Sequence, residues 1–264
     1  LSPQEALCVP QPPKIPLYRL IRQGIENKEV IVVDNASEDG SQQKVRARFG
    51  DIIWIRNKIN EGYAKATNTG VQRATGEFIF LLNNDVVLYP DTTGKLVDFL
   101  KSESWAGAVA PLLYYPDGTI QISCRRFPSI TSLVLEKLGI ERIAGFKKWK
   151  LTALEHMSAD EAPQPMASAL LVRRKCWHQV GELDEKKFPI FFNDVDWCYR
   201  LYKNTGYRIG LCRDARAVHH EGASVKKLGY RKKLIFFKGL VNFFIKAASL
   251  EMNNLKNKTF RRVS

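Results

Sequence analysis

The tripeptide Asn83-Asn84-Asp85 follows directly on the apolar run Phe78-Ile79-Phe80-Leu81-Leu82. A strand interior favours Val, Ile, Leu and Phe, and polar groups without partners are costly there. Two amides and a carboxylate at the C-terminal end of a strand stand where open α/β sheets bind their ligands. Hard oxygen donors at that point suit Mg2+ or Mn2+ carrying a phosphate, which makes Asp85 the first candidate for a metal-diphosphate site. The same residues would also serve as a polar cap leading into the turn Tyr89-Pro90-Asp91, and the tripeptide alone leaves both uses open.

A second constellation is Phe192-Asn193-Asp194-Val195-Asp196, with Arg200 four residues further on. A general base must be ionised, near solvent and fixed in position. Asp194 at a helix start meets those needs, because the amides and dipole there hold an anion. Asp196 and Arg200 are spaced to pair along the helix, so Asp196 reads as structural and Asp194 as catalytic. Simple capping of the helix by Asp194 is the competing use. His219 and His220 follow the short apolar pair Ala217-Val218. Adjacent residues of an extended segment point to opposite sides, so one of the two can face a site. His219 could offer an imidazole nitrogen to the metal held by Asp85.

Three further positions are suited to a nucleotide. Asp34 ends the β-branched run Glu29-Val30-Ile31-Val32-Val33 and could accept hydrogen bonds from a base or ribose, or cap the next helix. Asn60 and Gly62 open a helical stretch, where glycine lets a ligand approach and free amides favour phosphate. Asn68 brings a second amide toward the same region, and Gly70 inside the helix suggests a close approach.

These residues need a frame. Strands are expected at Glu29–Val33, Ile52–Ile55, Phe78–Leu82, Ala108–Ala110, Ala169–Val172 and Tyr207–Cys212, and helices at Leu17–Asn27, from Ser37 toward Phe49, Gly62–Thr75, Leu96–Ser102 and Asp194–Asn204. Alternating strands and helices imply a doubly wound, mostly parallel sheet flanked by helices. The stretch Tyr114–Pro165 is less regular and basic, as a lid, an acceptor loop or a solvated insertion would be.

With 264 residues, 45% of them hydrophobic, the chain can bury a sizeable core. A net charge of +14 attracts anions such as nucleotide diphosphates, lipid headgroups or nucleic acid. No helix-turn-helix, zinc or RNA-binding signature accompanies the charge, so nucleic acid is not an expected partner. The five cysteines have no zinc-like spacing and read as reduced thiols of a cytoplasmic protein. The late apolar stretch Leu234–Leu250 is broken by Lys238, Asn242 and Lys246, which argues against a spanning helix.

Taken in order, the segments resemble the family 2 inverting glycosyltransferases of GT-A fold, and are most similar to the bacterial rhamnosyltransferase-like branch. The residues that carry the match are Val30–Ser37, Asn60–Ala64, Asn68-Thr69-Gly70, Gly76–Phe78 running into Leu82–Asp85, Asp117–Gln121, Gly181–Glu185, Phe192–Asp196 and the stretch from His219 to Ser224. The resemblance implies a nucleotide-sugar-binding half at 29–110, an acceptor-binding and catalytic half at 111–225, and a basic, apolar helical segment at 226–264, after an irregular segment at 1–28. It implies that Asp34 contacts the base or ribose, that Asn60 and Gly62 line the nucleotide pocket, and that Asn83 and Asn84 lie beside the donor. Asp85 becomes the contact to a divalent cation, His219 helps hold that cation, and Asp194 deprotonates the acceptor hydroxyl. The implied acceptor is a glycan or polyprenyl-linked saccharide. The basic, Phe-rich segment Lys226 to Lys258 would then lie against the anionic inner face of the cell membrane, or pack on the domain as a helix with its basic residues solvated.

Three features depart from the family pattern. Its Asp-x-Asp reads Asn83-Asn84-Asp85, its Glu-Asp pair reads Asn193-Asp194, and residues 1–28 show no apolar first strand. A glycosyltransferase-like module that binds without turnover is therefore the alternative expectation.

Overall fold

The computed structural model describes residues 27–47, 49, 51–132, 149, 151–220, 229 and 231–263, with side chains to residue 255. The expected helix at 17–27, the irregular start, most of the basic stretch 133–150 and the segment 221–228 lie outside these residues, apart from isolated positions.

β-branched runs form the first two strands. β1 (Val30–Asp34) and β2 (Ile52–Arg56) pair in parallel, Asp34 opposite Arg56, with the six-residue α1 (Ser41–Arg46) in the crossover. α2 (Tyr63–Arg73) lies on β1, where a Cβ at Gly70 would stand 3.2 Å from Val33 Cγ2. The glycine therefore serves close helix–strand packing.

A five-stranded mixed sheet forms the centre. Its members are β3 (Phe78–Leu82), β4 (Val86–Leu88), β5 (Ala106–Tyr114), β8 (Ala169–Arg173) and β9 (Arg208–His219), in the order β3-β8-β5-β9-β4. The flanking helices are α3 (Thr92–Ser102), α5 (Arg174–Val180) and α6 (Asn193–Asn204). A small antiparallel pair, β6 (Cys124–Arg125) and β7 (Gln164–Pro165), and the capped helix α4 (Ala153–Ser158) complete the middle region. Alternating strands and helices thus give the expected α/β layers. Parallel pairing holds for β1–β2 and β5–β9, whereas β8 and β4 enter antiparallel.

β4 runs antiparallel because of how the chain reaches it. β3 and β4 form opposite edges of the sheet, yet only Asn83-Asn84-Asp85 separates them. β9 bends to meet the crossing: its register against β5 jumps from Cys212 to Arg216, and the strand beyond pairs with β4, Val86 opposite His219. Among the described residues no hydrogen-bonded ladder joins β1 to β3. Glu29 Oε1 ties their starts together by accepting from the Thr75 and Gly76 amides.

The principal core packs Ile79, Leu81, Leu170, Val172, Trp177 and Trp197 between sheet and helices. The Trp177 and Trp197 rings stack at 5.3 Å. A separate cluster joins Phe188, Phe192, Val195 and Tyr199 to Phe243 of the long last helix, α7 (Arg231–Val263). Cys124, Cys176, Cys198 and Cys212 are free and buried, and burial pushes the Cys124 and Cys176 thiols up to about 12. They have the character of core residues.

Candidate functional site

Asp85 and His219 meet because of the β4–β9 register. Asp85 precedes Val86, whose partner is His219, and the His220 amide donates to the Asp85 carbonyl at 3.0 Å. His219 is buried and His220 exposed, as alternation along a strand requires. His219 Nε2 lies 3.3 Å from Asp85 Oδ1. That oxygen is buried and makes no hydrogen bond among the described residues. The imidazole beside Asp85 is the main reason its carboxyl lies below the usual value, against the opposing effect of burial.

The other ring nitrogen, Nδ1, lies 2.9 Å from Gln121 Oε1. A metal-bound imidazole ordinarily directs its second nitrogen to such an acceptor, so Nε2 would be the atom offered to a cation beside Asp85. Adjacent ligands of an octahedral ion bound at roughly 2.1 Å stand about 3 Å apart, and one imidazole with one carboxylate is a suitable donor pair. Asp85 and His219 therefore fit a divalent cation. Among the described residues no group of three or more His, Cys, Asp or Glu gathers here, so protein donors alone would leave positions for phosphate oxygens and water.

Asp194 sits in the first turn of α6. Its Oδ1 accepts the Val195 amide at 2.8 Å, and the Ala167 amide also donates to the carboxylate. Burial pushes the Asp194 carboxyl above its ordinary value, opposed by the Arg125 guanidinium and by the amides. A carboxylate with a raised pKa accepts a proton more readily. Arg125 comes from β6, lies over Trp149 at 5.3 Å, and leaves its Nε without a hydrogen-bond partner among the described residues. Asp196 has the structural task expected of it. Arg200 Nε donates to Oδ2 at 2.9 Å, and Lys246 Nζ from α7 approaches to 3.0 Å.

Tyr63 links the two carboxylates. Burial raises its phenol, and the charges of Asp194 and Asp85 both add to that rise, so both lie within electrostatic reach of one ring. Its hydroxyl donates to the Ala167 carbonyl at 3.0 Å. Ala167 therefore bonds Tyr63 through its carbonyl and Asp194 through its amide, and the next carbonyl, Ser168, accepts from the Asn83 amide at 2.9 Å. One short segment before β8 holds the crossing turn at Asn83 and Asp194 together.

The residues expected to meet the nucleotide divide. Asp34 is buried, its Oδ1 accepts the Ser37 amide at 2.9 Å, and Arg56 Nε stands 3.8 Å from Oδ2. Asn60 Oδ1 accepts the Gly62 amide at 3.0 Å, and Gly62 holds φ at 88°. The Gly62 carbonyl accepts from Asn35 Nδ2 at 3.1 Å, so β1 and the start of α2 share one edge. Asn84 is exposed and Asn83 half-buried in the crossing turn. Asn68 is placed differently. It is 2% exposed, its Nδ2 donates to the Leu183 carbonyl at 2.9 Å and its Oδ1 accepts the Leu183 amide at 3.0 Å. That amide fastens α2 to the segment before α6.

Sequence reasoning assigned no separate task to Tyr63, Gln121, Arg125 or Ala167. Tyr63 and Gln121 fall inside matched segments, and that placement, with Gln121 set between Ile120 and Ile122, was the available signal. Nothing local marks Ala167, which acts through its backbone.

The family model of Glycosyl transferase family 2 matches residues 17–165. N-acetylglucosaminyl-diphospho-decaprenol L-rhamnosyltransferase of Mycobacterium tuberculosis is 28% identical over 214 residues, 74% of this chain and 67% of that protein. A mannosyltransferase from Pyrobaculum calidifontis, solved with GDP-Man and Mn2+, superposes with a TM-score of 0.59 at 20% identity, covering 89% of this chain and 59% of that one. GalNAc-T7, solved with UDP, GalNAc and Mn2+, gives 0.59 at 15% identity, covering 77% and 39%. These likenesses establish the GT-A fold.

Proposed function

Since the chain belongs to glycosyl transferase family 2, we propose that it moves a sugar from a dTDP- or UDP-linked donor to a hydroxyl of a glycan or polyprenyl-linked saccharide, with inversion, in cell-surface polysaccharide synthesis. The observation that carries this reading is the pair of carboxylates held near Tyr63 by the Ala167-Ser168 segment, one beside an imidazole and one in the first turn of α6 with a raised pKa.

In this reading Asp85 and His219 Nε2 hold a divalent cation, which would neutralise the leaving diphosphate. Gln121 Oε1 would accept the His219 Nδ1 proton and leave Nε2 for the cation. Asp34, Asn60 and Gly62 edge the nucleotide pocket, and Asn83 and Asn84 flank the donor. Asp194 takes the acceptor hydroxyl's proton as the new oxygen–carbon bond forms. The bond from the anomeric carbon to the diphosphate breaks, and its electron pair leaves with the phosphate oxygen. The proton then passes from Asp194 to water. Nucleotide-sugar donors and buried reduced thiols both suit a place on the cytoplasmic side of the membrane.

Melting temperatures with UDP and dTDP, with and without Mn2+, test the donor half. We expect a metal-dependent rise with one nucleotide that Asp85→Ala abolishes. No rise with either nucleotide would sink the donor reading. Nucleotide binding combined with no sugar transfer or donor hydrolysis would leave the non-catalytic module.

A further inference from the structure

α7 carries apolar residues on two sides, one packed against the domain and the other largely exposed among the described residues. Gly239, Leu240, Phe243 and Ala247 turn inward, Phe243 lying 5.4 Å from Tyr199 and 6.2 Å from Phe192 between ring centroids. On the outer side stand Leu234, Phe237, Val241, Ile245, Met252 and Leu255, each between 40% and 68% exposed. At about 100° per residue these six fall in one stripe roughly 80° wide. From the first to the last it runs roughly 30 Å. Scattered surface apolar residues need no explanation, but a continuous stripe of this length does.

The charges around the stripe say what would cover it. The helix sequence holds nine lysines and arginines and one carboxylate, Glu251. Glu251 is already engaged, accepting from the Tyr199 hydroxyl at 2.7 Å and Lys203 Nζ at 2.8 Å. Lys246 turns inward to Asp184 at 2.7 Å and Asp196 at 3.0 Å. Arg231, Lys232, Lys233 and Lys238 remain exposed, at one end of the stripe and along its margin. Among the described residues no helix is long and apolar enough to cross a membrane. An exposed apolar stripe edged by cations, on a helix too polar to span, suits the boundary of an anionic bilayer.

We propose that α7 lies flat on an anionic phospholipid surface, with the stripe from Leu234 to Leu255 set among the headgroups. The inner face of the same helix carries Phe192, two residues before Asp194, so docking would hold the start of α6 about one helix thickness, roughly 10 Å, from the lipid. The proposal rests on the stripe and its charges and stands apart from the transferase reading.

Co-sedimentation of the full chain with vesicles of phosphatidylcholine and phosphatidylglycerol, and of phosphatidylcholine alone, tests it. Binding is expected to the mixed vesicles, at least about tenfold weaker to the neutral ones, and to fall with added salt. The double substitution Phe237→Ser, Ile245→Ser should weaken binding about tenfold or more, with the melting temperature unchanged because both side chains face outward. Lys238→Glu should cost at least about fivefold on the mixed vesicles alone. Equal binding by these variants and the parent chain would overturn the proposal. So would a dimer seen by light scattering, abolished by the double substitution, in a chain that ignores vesicles. That outcome would assign the stripe to a second copy.

Discussion

Gly239 of α7 approaches Phe192 so closely that a Cβ there would stand 2.8 Å from Cδ2 of the ring. Phe192 precedes α6 in a left-handed conformation, φ 67°, which a side chain of its size adopts only when its surroundings impose it. The packing of Phe236 at 5.0 Å and of Phe243 supplies that restraint.

Gly239→Ala therefore tests whether α7 positions the base. Alanine gains about 1 kcal/mol of helix propensity over glycine, so the helix itself should not weaken. The added methyl must push Phe192 and the first turn of α6. We expect kcat to fall about tenfold with the donor KM little changed, measured by steady-state transfer or donor hydrolysis.

Asp194→Asn should separate catalysis from stability. Loss of a general base costs roughly 10²–10⁴ in rate. Burial raises the native carboxyl above its ordinary value, so ionising it opposes folding. That penalty is absent below the unfolded pKa and complete once the pH passes the native one. Asparagine carries no such penalty. The variant should melt above the parent at neutral pH, with the difference vanishing in acid below about pH 3.8, as followed by thermal denaturation across pH.

Asn68→Ala addresses the amide that the structure commits to Leu183. Two buried backbone groups would lose their partners, a loss of about 2–4 kcal/mol. The urea midpoint should fall accordingly, while nucleotide affinity of the folded fraction stays within about twofold. A large affinity loss at unchanged stability would instead give Asn68 a place at the donor.

Gln121→Leu removes the acceptor for His219 Nδ1. Outer-shell partners of this kind typically contribute about 10–100-fold in metal affinity. Titration calorimetry with nucleotide should show that loss in Mn2+ and none in EDTA.

Gly62→Ala should disturb the joint between the two halves. A Cβ at φ 88° is strained and would lie 3.0 Å from the Pro189 carbonyl, which accepts the Ala64 amide at 3.2 Å. A stability loss of about 1–3 kcal/mol is expected from the denaturant midpoint.

The sequence announces its strands where β-branched and aromatic runs are bounded by polar turns. Val30–Asp34, Ile52–Arg56, Phe78–Leu82 and Ala169–Arg173 were readable on that ground. The α6 helix and the pairing of Asp196 with Arg200 were readable from spacing. β4 was not, because three residues give no period, and its antiparallel partner is fixed by a bend in β9 after Cys212. Hence Asn83-Asn84-Asp85 looked like the end of a strand, when it is a crossing from one sheet edge to the other. Asn68 read as a ligand contact because its spacing brings a second amide toward the region of Asn60, and only tertiary placement shows its backbone partner at Leu183. Tyr63 looked like an ordinary apolar helix residue. Its position near both carboxylates depends on Ala167, which no pattern in its own neighbourhood marks.

The β4–β9 register also sets an order in time. Asp85 belongs to the early part of the chain and His219 to the last strand, with most of the sheet between them in sequence. Loop closure over that span is slow relative to local pairing, and during synthesis β9 is the last of the strands to emerge. A chain that stops short of β9 has no imidazole for Asp85. The Asp85–His219 pair is completed only when the sheet is, so whatever chemistry needs both residues waits for the end of folding.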